Sequence, residues 1–232
     1  MRVAPSLWLF DFDNTLARLE PVVDWALSRC ELEPMLRSAG APESLFQQFP
    51  KGNLVLYEAY RAHLAETVSK DGAERAAILL KASAIIEKYE LQGIDRASPL
   101  PGAVDILDAI TLAGSTVGIV TSNSSRTVRS WLEKNGAAKS VRIIVGRDSL
   151  LALKPAPDMI TEARKNTGIP AERTTYVGDT PGDCVAARAA GVTFCGIASA
   201  HGARDALREA GASEIFASPA ALAIRRNLNS SP

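Results

Sequence analysis

Apolar and β-branched residues gather in five short runs, Ser6–Phe10, Thr116–Val120, Val141–Val145, Thr174–Val177 and Thr193–Ile197, each of strand length and mostly strand composition. Between them apolar positions recur at helical spacing. Val104, Leu107 and Ile110 make one such stripe, with Pro101 at its start and Gly114 at its close, which predicts a helix over Gly102–Ala113. The same helix-then-glycine punctuation returns at Gly136, Gly168, Gly191 and Gly211, so from about residue 99 strands and helices alternate as βα units. The pattern predicts an α/β fold built on a doubly wound parallel sheet.

One stretch does not fit that alternation. The chain between the first strand and the helix near Pro101 is far longer than a βα connection, so it needs a fold of its own. Val22, Val23, Ala26 and Leu27, then Leu54, Tyr57, Tyr60, Arg61 and Leu64, then Ala76, Leu79, Leu80, Ile85 and Tyr89 predict three or more amphipathic helices. Pro34, Pro42 and Pro50-Lys51-Gly52-Asn53 read as breaks between them. Residues 17–97 are therefore expected to form an inserted α-helical domain, with linkers around Leu16–Glu20 and Asp95–Pro99, and residues 1–16 and 98–232 the α/β core. The polar tail Asn227–Pro232 is expected to fray.

Composition narrows the function by exclusion. At 232 residues the chain suffices for one core domain with a substantial insertion. Lysine plus arginine balances aspartate plus glutamate at 26 each, so no global field favours nucleic acid or an acidic membrane surface, and any anion must be held locally. Cys30, Cys184 and Cys195 form neither a disulfide framework nor a paired metal-ligand pattern, which points to a reducing, cytoplasmic setting. Leu7–Phe10 is too short for a signal-peptide core, and no run approaches a membrane span. The expectation is a soluble monomer or homodimer without nucleic-acid or membrane partners.

In an open parallel sheet, ligands bind beyond the carboxyl ends of the strands. The first run ends in Asp11-Phe12-Asp13-Asn14-Thr15, the second in Thr121-Ser122-Asn123-Ser124-Ser125 and the fourth in Gly178-Asp179-Thr180-Pro181-Gly182-Asp183. Asp11, Asp13, Asp179 and Asp183 would thus share one edge. Two bare carboxylates about 4 Å apart repel by roughly 4 kcal/mol at an effective dielectric near 20, so such a cluster calls for a cation or for protonation. With no His or Cys among the donors, the set favours a hard ion such as Mg²⁺. The alternative, that these acids are helix caps and turn formers, stays open for Asp183, which precedes the helix expected from Cys184. Thr121, Ser122, Asn123 and the amides opening a helix near Ser124 are candidate phosphate donors. Lys154, in Lys154-Pro155-Ala156-Pro157-Asp158, is either a neutraliser of phosphate oxygens or a snorkelling surface lysine.

In order and spacing these motifs resemble the haloacid dehalogenase superfamily, through Asp11-Phe12-Asp13-Asn14-Thr15-Leu16, Thr121-Ser122-Asn123, Lys154-Pro155-Ala156-Pro157 and Gly178-Asp179-Thr180-Pro181-Gly182-Asp183. The region from Pro99 to Ala198 resembles the phosphoglycolate phosphatase-like branch, whose helical cap would correspond to the insertion. The resemblance implies a Rossmann-like core in which Asp11 is the nucleophile, forming an aspartyl-phosphate, and Asp13 the general acid and base. It implies Thr121 and Lys154 as phosphate ligands. It also implies Mg²⁺ held by Asp11, the Asp13 main-chain carbonyl and Asp179, with Asp183 supporting the metal's water shell. The substrate would be a small phosphorylated metabolite, phosphoglycolate-like or a sugar phosphate. A phosphomutase of the β-phosphoglucomutase type and a non-catalytic binder of phospholigands remain as alternatives. Dehalogenases and phosphonate-cleaving relatives lack the acid at the position of Asp13. Many relatives carry glycine where Asn14 stands, and asparagine also tolerates turn conformations. Arg18, at the hinge into the insertion, is a candidate ligand for a second anionic group of the substrate, or else an exposed hinge arginine. Lys51, Gly52 and Asn53 are the expected substrate-facing loop, and His63 and His201 carry no assigned role.

Overall fold

Helices cover both faces of the sheet, which is why its strands are apolar almost without alternation: Leu7, Leu9 and Phe10 of the first strand are all fully buried. In this computed structural model, which describes residues 6–66, 71–198 and 202–228, the strands are β1 (Leu7–Phe10), β2 (Thr116–Val120), β3 (Ile143–Val145), β4 (Thr174–Gly178), β5 (Thr193–Ile197) and β6 (Ile215–Phe216). His201 and the end of the Asn227–Pro232 tail lie outside the described residues. The strands pair in parallel in the order β3-β2-β1-β4-β5-β6. The chain builds outward from β1 on one side, then returns to build outward on the other, which opens a crevice beyond the ends of β1 and β4. The two-residue β6 was not expected, because so short a pair carries no periodicity.

The helices are α1 (Trp25–Ser38), α2 (Glu43–Gln48), α3 (Asn53–Glu66), α4 (Gly72–Gly93), α5 (Ala103–Leu112), α6 (Ser125–Lys134), α7 (Asp158–Thr167), α8 (Pro181–Ala189), α9 (Ala203–Glu209) and α10 (Pro219–Arg225). The expected glycine stops are present, and Gly168 shows the mechanism: at φ 69° its N–H closes on the carbonyls of Arg164 and Lys165, ending α7. Among the described residues no helix is long and apolar enough to cross a membrane.

Four helices, α1 to α4, fall between β1 and α5. Pro34 does not break them. It lies inside α1, where both Pro34 and Cys30, whose carbonyl loses a partner, are exposed so that water can satisfy it. The buried stripes are also rotated from those expected. α1 buries Ser28, Leu32 and Leu36 while Leu27 is exposed, and α4 buries Leu79, Ala82, Ser83, Ile86, Tyr89 and Glu90 while Leu80 is exposed. The two chain segments joining the four helices to the sheet run side by side. Ala17 bridges Pro99 in antiparallel fashion, Arg18 N–H donates to the Ser98 carbonyl at 2.9 Å, and Leu100 N–H donates to the Leu16 carbonyl at 2.8 Å.

Gly102 makes α5 and α10 fit. Its φ is +76°, and a Cβ there would lie 2.7 Å from the backbone nitrogen and Cα of Ala220. Gly102→Ala is therefore expected to destabilise the fold by roughly 1–3 kcal/mol, from strain and overpacking together. Denaturant unfolding followed by circular dichroism measures this, and an unchanged midpoint would contradict the packing described.

Candidate active site

The parallel register brings the acids together. Phe10 of β1 is level with Ile119 of β2 and Val177 of β4, so the next residue, Asp11, emerges at the crevice with its N–H bonded to the Val177 carbonyl at 2.7 Å. Asp179 follows β4 and receives a 3.3 Å hydrogen bond from the Thr15 hydroxyl. Asp183 lies in the first turn of α8, which starts at Pro181 rather than Cys184. Thr180 is the cap, and Asp183 completes a capping box by accepting from Thr180 N–H at 3.0 Å. Gly178 makes the fit possible, since a Cβ there would be 2.6 Å from the Asp183 carboxyl carbon. The result is a group of three carboxylates, Asp11, Asp179 and Asp183, with ligand oxygens all within 4.8 Å of one another.

Lys154 is not a surface lysine. Its Nζ is buried 2.6 Å from Asp11 Oδ1 and 2.6 Å from Asp183 Oδ1, and donates to the Tyr176 hydroxyl at 2.9 Å. Although burial alone would lower it, the charges of Asp11 and Asp183 hold the Lys154 pKa above its ordinary value. One ammonium does not balance three carboxylates. Burial, with Asp183 adding to it, keeps the Asp11 carboxyl above the usual range despite Lys154, and burial together with Asp11 and Asp183 pushes Asp179 up to about 8. Asp183 moves the other way, because Lys154 and the Thr180 hydrogen bonds outweigh its burial. An all-oxygen, charge-deficient set of this kind fits a hard divalent cation.

Asp13 departs from the expected four-acid group. Its carboxylate turns from the other three and accepts from Leu19 N–H and Glu20 N–H, each at 3.0 Å. The left-handed Asn14 (φ 56°) makes the turn that sends the chain back past it. Burial is the main cause that pushes the Asp13 carboxyl up to about 7, against the two amides that lower it.

Asp11, Asp13, Asp179 and Lys154 line a cavity of about 230 Å³ with Thr121, Ser122, Asn123 and, from the helical insertion, Leu54. Arg18 is exposed and Lys51 is exposed, and neither lines this cavity; Gly52 and Asn53 line an adjoining one with Trp25 and Glu20. The structure also redistributes the expected phosphate donors. The amides opening α6 are already engaged, Ser124 N–H by Glu90 Oε2 at 3.1 Å, Ser125 N–H by Asp148 Oδ1 at 2.8 Å and Thr127 N–H by Ser124 Oγ at 3.0 Å. That leaves the loop before the helix as the face toward the cavity, lined by Thr121 and Ser122, with the Thr121 hydroxyl here donated to Asn123 Oδ1 at 3.0 Å.

Sequence reasoning missed Glu90 and Arg147. Both are fully buried and paired at 2.8 Å behind that loop. A signal was available: Glu90 continues the stripe Leu79, Ala82, Ser83, Ile86 at helical spacing, and a charge on a buried stripe needs a partner.

Comparison with known proteins follows the same lines. The family model for haloacid dehalogenase-like hydrolases matches residues 8–197. A phosphoglycolate phosphatase of Rhodospirillum rubrum is 30% identical over 189 residues, covering 81% of this chain and 77% of that one. Phosphoglycolate phosphatase 1 of Pseudomonas aeruginosa is 31% identical over 196 residues, covering 81% and 67%. Among solved structures, a hydrolase from Pseudomonas syringae superposes with a TM-score of 0.62 at 22% identity, covering 97% of this chain and all of that one. CbbY from Rhodobacter sphaeroides in complex with phosphate gives 0.59 at 20% identity, covering 94% and 96%. At these identities the structural likeness concerns the fold.

Removing one partner of the buried pair leaves an uncompensated charge, so Glu90→Gln is expected to cost about 3–5 kcal/mol at neutral pH. Burial would raise the Glu90 carboxyl, but Arg147 and the surrounding hydrogen bonds hold it below its ordinary 4.5. The ionic contribution is therefore complete above that value and lost as pH falls through the depressed native one. Urea titrations of parent and variant from pH 7 downward should show a constant gap that narrows only below about pH 4.5. A gap that is absent at pH 7 would contradict the ionic pairing.

Proposed function

The chain belongs to the haloacid dehalogenase-like hydrolases, and on that premise we propose that it is a Mg²⁺-dependent phosphatase acting on the phosphomonoester of a small metabolite through an aspartyl-phosphate on Asp11. The observation that carries this reading is the Asp11 carboxylate held 2.6 Å from the buried Lys154 ammonium, in a cavity shared with Thr121, Asp13 and Asp179. The relatives named phosphoglycolate phosphatase support a small phosphorylated acid among the substrates.

Asp11, the Asp13 carbonyl and Asp179 would hold Mg²⁺, with Asp183 steadying its surroundings. When bound, the ion supplies positive charge to the phosphoryl oxygens as negative charge shifts during transfer. An Asp11 carboxylate oxygen attacks phosphorus as the leaving oxygen departs, which divides one difficult hydrolysis into two transfers. Lys154 stabilises the transferring oxygens, joined by the Thr121 hydroxyl once it turns from Asn123 Oδ1, and a single well-placed donor there is worth about 3–4 kcal/mol. Asp13 gives its proton to the leaving oxygen, then takes one from the water that cleaves the acyl phosphate and releases inorganic phosphate. Burial, the main cause of its raised pKa, favours the protonated form that the first transfer needs. To reach the leaving oxygen the Asp13 carboxyl turns away from the Leu19 and Glu20 amides that hold it here. Residues 17–97 would act as the cap over this cavity, to which they contribute Leu54, and residues 1–16 and 98–232 as the catalytic core.

Phosphate release from p-nitrophenyl phosphate and from a panel including 2-phosphoglycolate and hexose phosphates tests the proposal. Activity is expected to vanish with a chelator and return with Mg²⁺. Asp11→Asn should lower turnover by about a thousandfold or more, and Asp13→Asn by about 10²–10⁴-fold. Full activity in Asp11→Asn, or no phosphate released from any ester by folded protein, would overturn it.

A further inference from the structure

The loop that faces the cavity has a second, hidden face, and a buried ion pair holds it. Arg147 donates from Nη1 to the Ser122 carbonyl at 2.7 Å and from its backbone N–H to the Asn123 carbonyl at 2.9 Å. Glu90 accepts from Asn123 Nδ2 at 3.1 Å on one oxygen, and from Ser124 N–H at 3.1 Å and Thr127 Oγ1 at 3.0 Å on the other. The bond from Asn123 Nδ2 decides which way that amide points. Its Oδ1 then receives the Thr121 hydroxyl at 3.0 Å. An unbroken chain of hydrogen bonds thus runs from Arg147 through Glu90 and Asn123 to the side chain that would touch the phosphoryl group.

Glu90 and Arg147 come from different parts of the molecule. Glu90 lies in the last turns of α4, in the helical insertion, and Arg147 follows β3; Arg147 also grips α4 through Nε to Ser83 Oγ at 3.1 Å and Nη2 to the Ser83 carbonyl at 3.2 Å. The neighbouring backbone allows no slack. A Cβ on Gly146 would lie 2.5 Å from Ser125 N and 2.8 Å from the Asn123 carbonyl oxygen. Stability alone does not account for the pair, since a well-packed apolar pair of similar volume holds two elements together as well or better than buried charges do. What charges add is direction: each hydrogen bond fixes one atom of the loop.

We propose that Glu90 and Arg147 are positioning residues for phosphate binding, setting the Thr121–Asn123 loop from behind and tying its geometry to α4. The inference rests on the reading above that this loop receives the phosphoryl group. Neither residue touches substrate.

The test separates direction from stability. Thermal melting, steady-state kinetics and inorganic phosphate binding with Mg²⁺ are measured for the parent, Glu90→Gln and the double variant Glu90→Leu/Arg147→Met. Glu90→Gln should melt lower, and the double variant should recover most of that loss because no buried charge is left unpaired. Phosphate affinity should not recover. At temperatures where both variants are fully folded, the phosphate Kd should rise and kcat/KM fall by about 10- to 100-fold, the scale of a loop misplaced by an ångström. Should both variants fail to fold, Ser83→Ala removes only one hydroxyl behind Arg147 and is expected to weaken phosphate binding by about two- to tenfold. Parental phosphate affinity and kcat/KM in a folded variant would overturn the inference and leave the phosphatase reading intact. A parent protein that neither binds phosphate nor releases it from an ester would overturn both.

Discussion

Everything at the crevice depends on the Lys154 ammonium being shared between Asp11 and Asp183. Without it, buried carboxylates from the ends of β1 and the first turn of α8 would have no reason to approach. With it, three chain segments that are remote in sequence are pinned at one point. The arrangement is still short of positive charge, which shows in the raised Asp11 and Asp179 carboxyls. The same imbalance is what a hard divalent cation among these oxygens would relieve.

The core was legible because its cues are local and repeated. Five strand runs, each followed by a helical stripe and a glycine, leave few topologies open once connections are short and right-handed. The acids at the strand ends followed from that topology. What stayed hidden was side-chain direction. Asp13 sits two residues beyond Asp11, yet the left-handed turn at Asn14 brings the Leu19 and Glu20 amides within its reach. Nothing in the residue types announces which carboxylate an amide will capture. Helix rotation in the insertion was misjudged for a related reason: Ser28, Ser83 and Glu90 are buried polar residues, so a stripe drawn through apolar residues alone comes out turned.

The buried polar residues of α4 also change how the insertion is to be understood. A helical layer docked by apolar contact alone would slide at little cost. Here Ser83 and Glu90 attach α4 to Arg147 and to the loop ahead of α6 through directed bonds inside the protein, where lost hydrogen bonds are not replaced by water. The α6 amides that might have drawn an anion are occupied by Glu90 and Asp148, so Ser124 and Ser125 hold internal carboxylates instead.

The two segments that connect the helical layer to the sheet are hydrogen-bonded neighbours at Ala17 and Pro99. From the sheet's point of view, all the chain between them is a detour that leaves and returns at one place. Closing such a detour costs an entropy that grows only slowly with its length. The core therefore constrains the size and content of what lies between these two residues very little, so the helical layer can be lengthened, shortened or refilled while the sheet and the strand ends beneath it stay as they are.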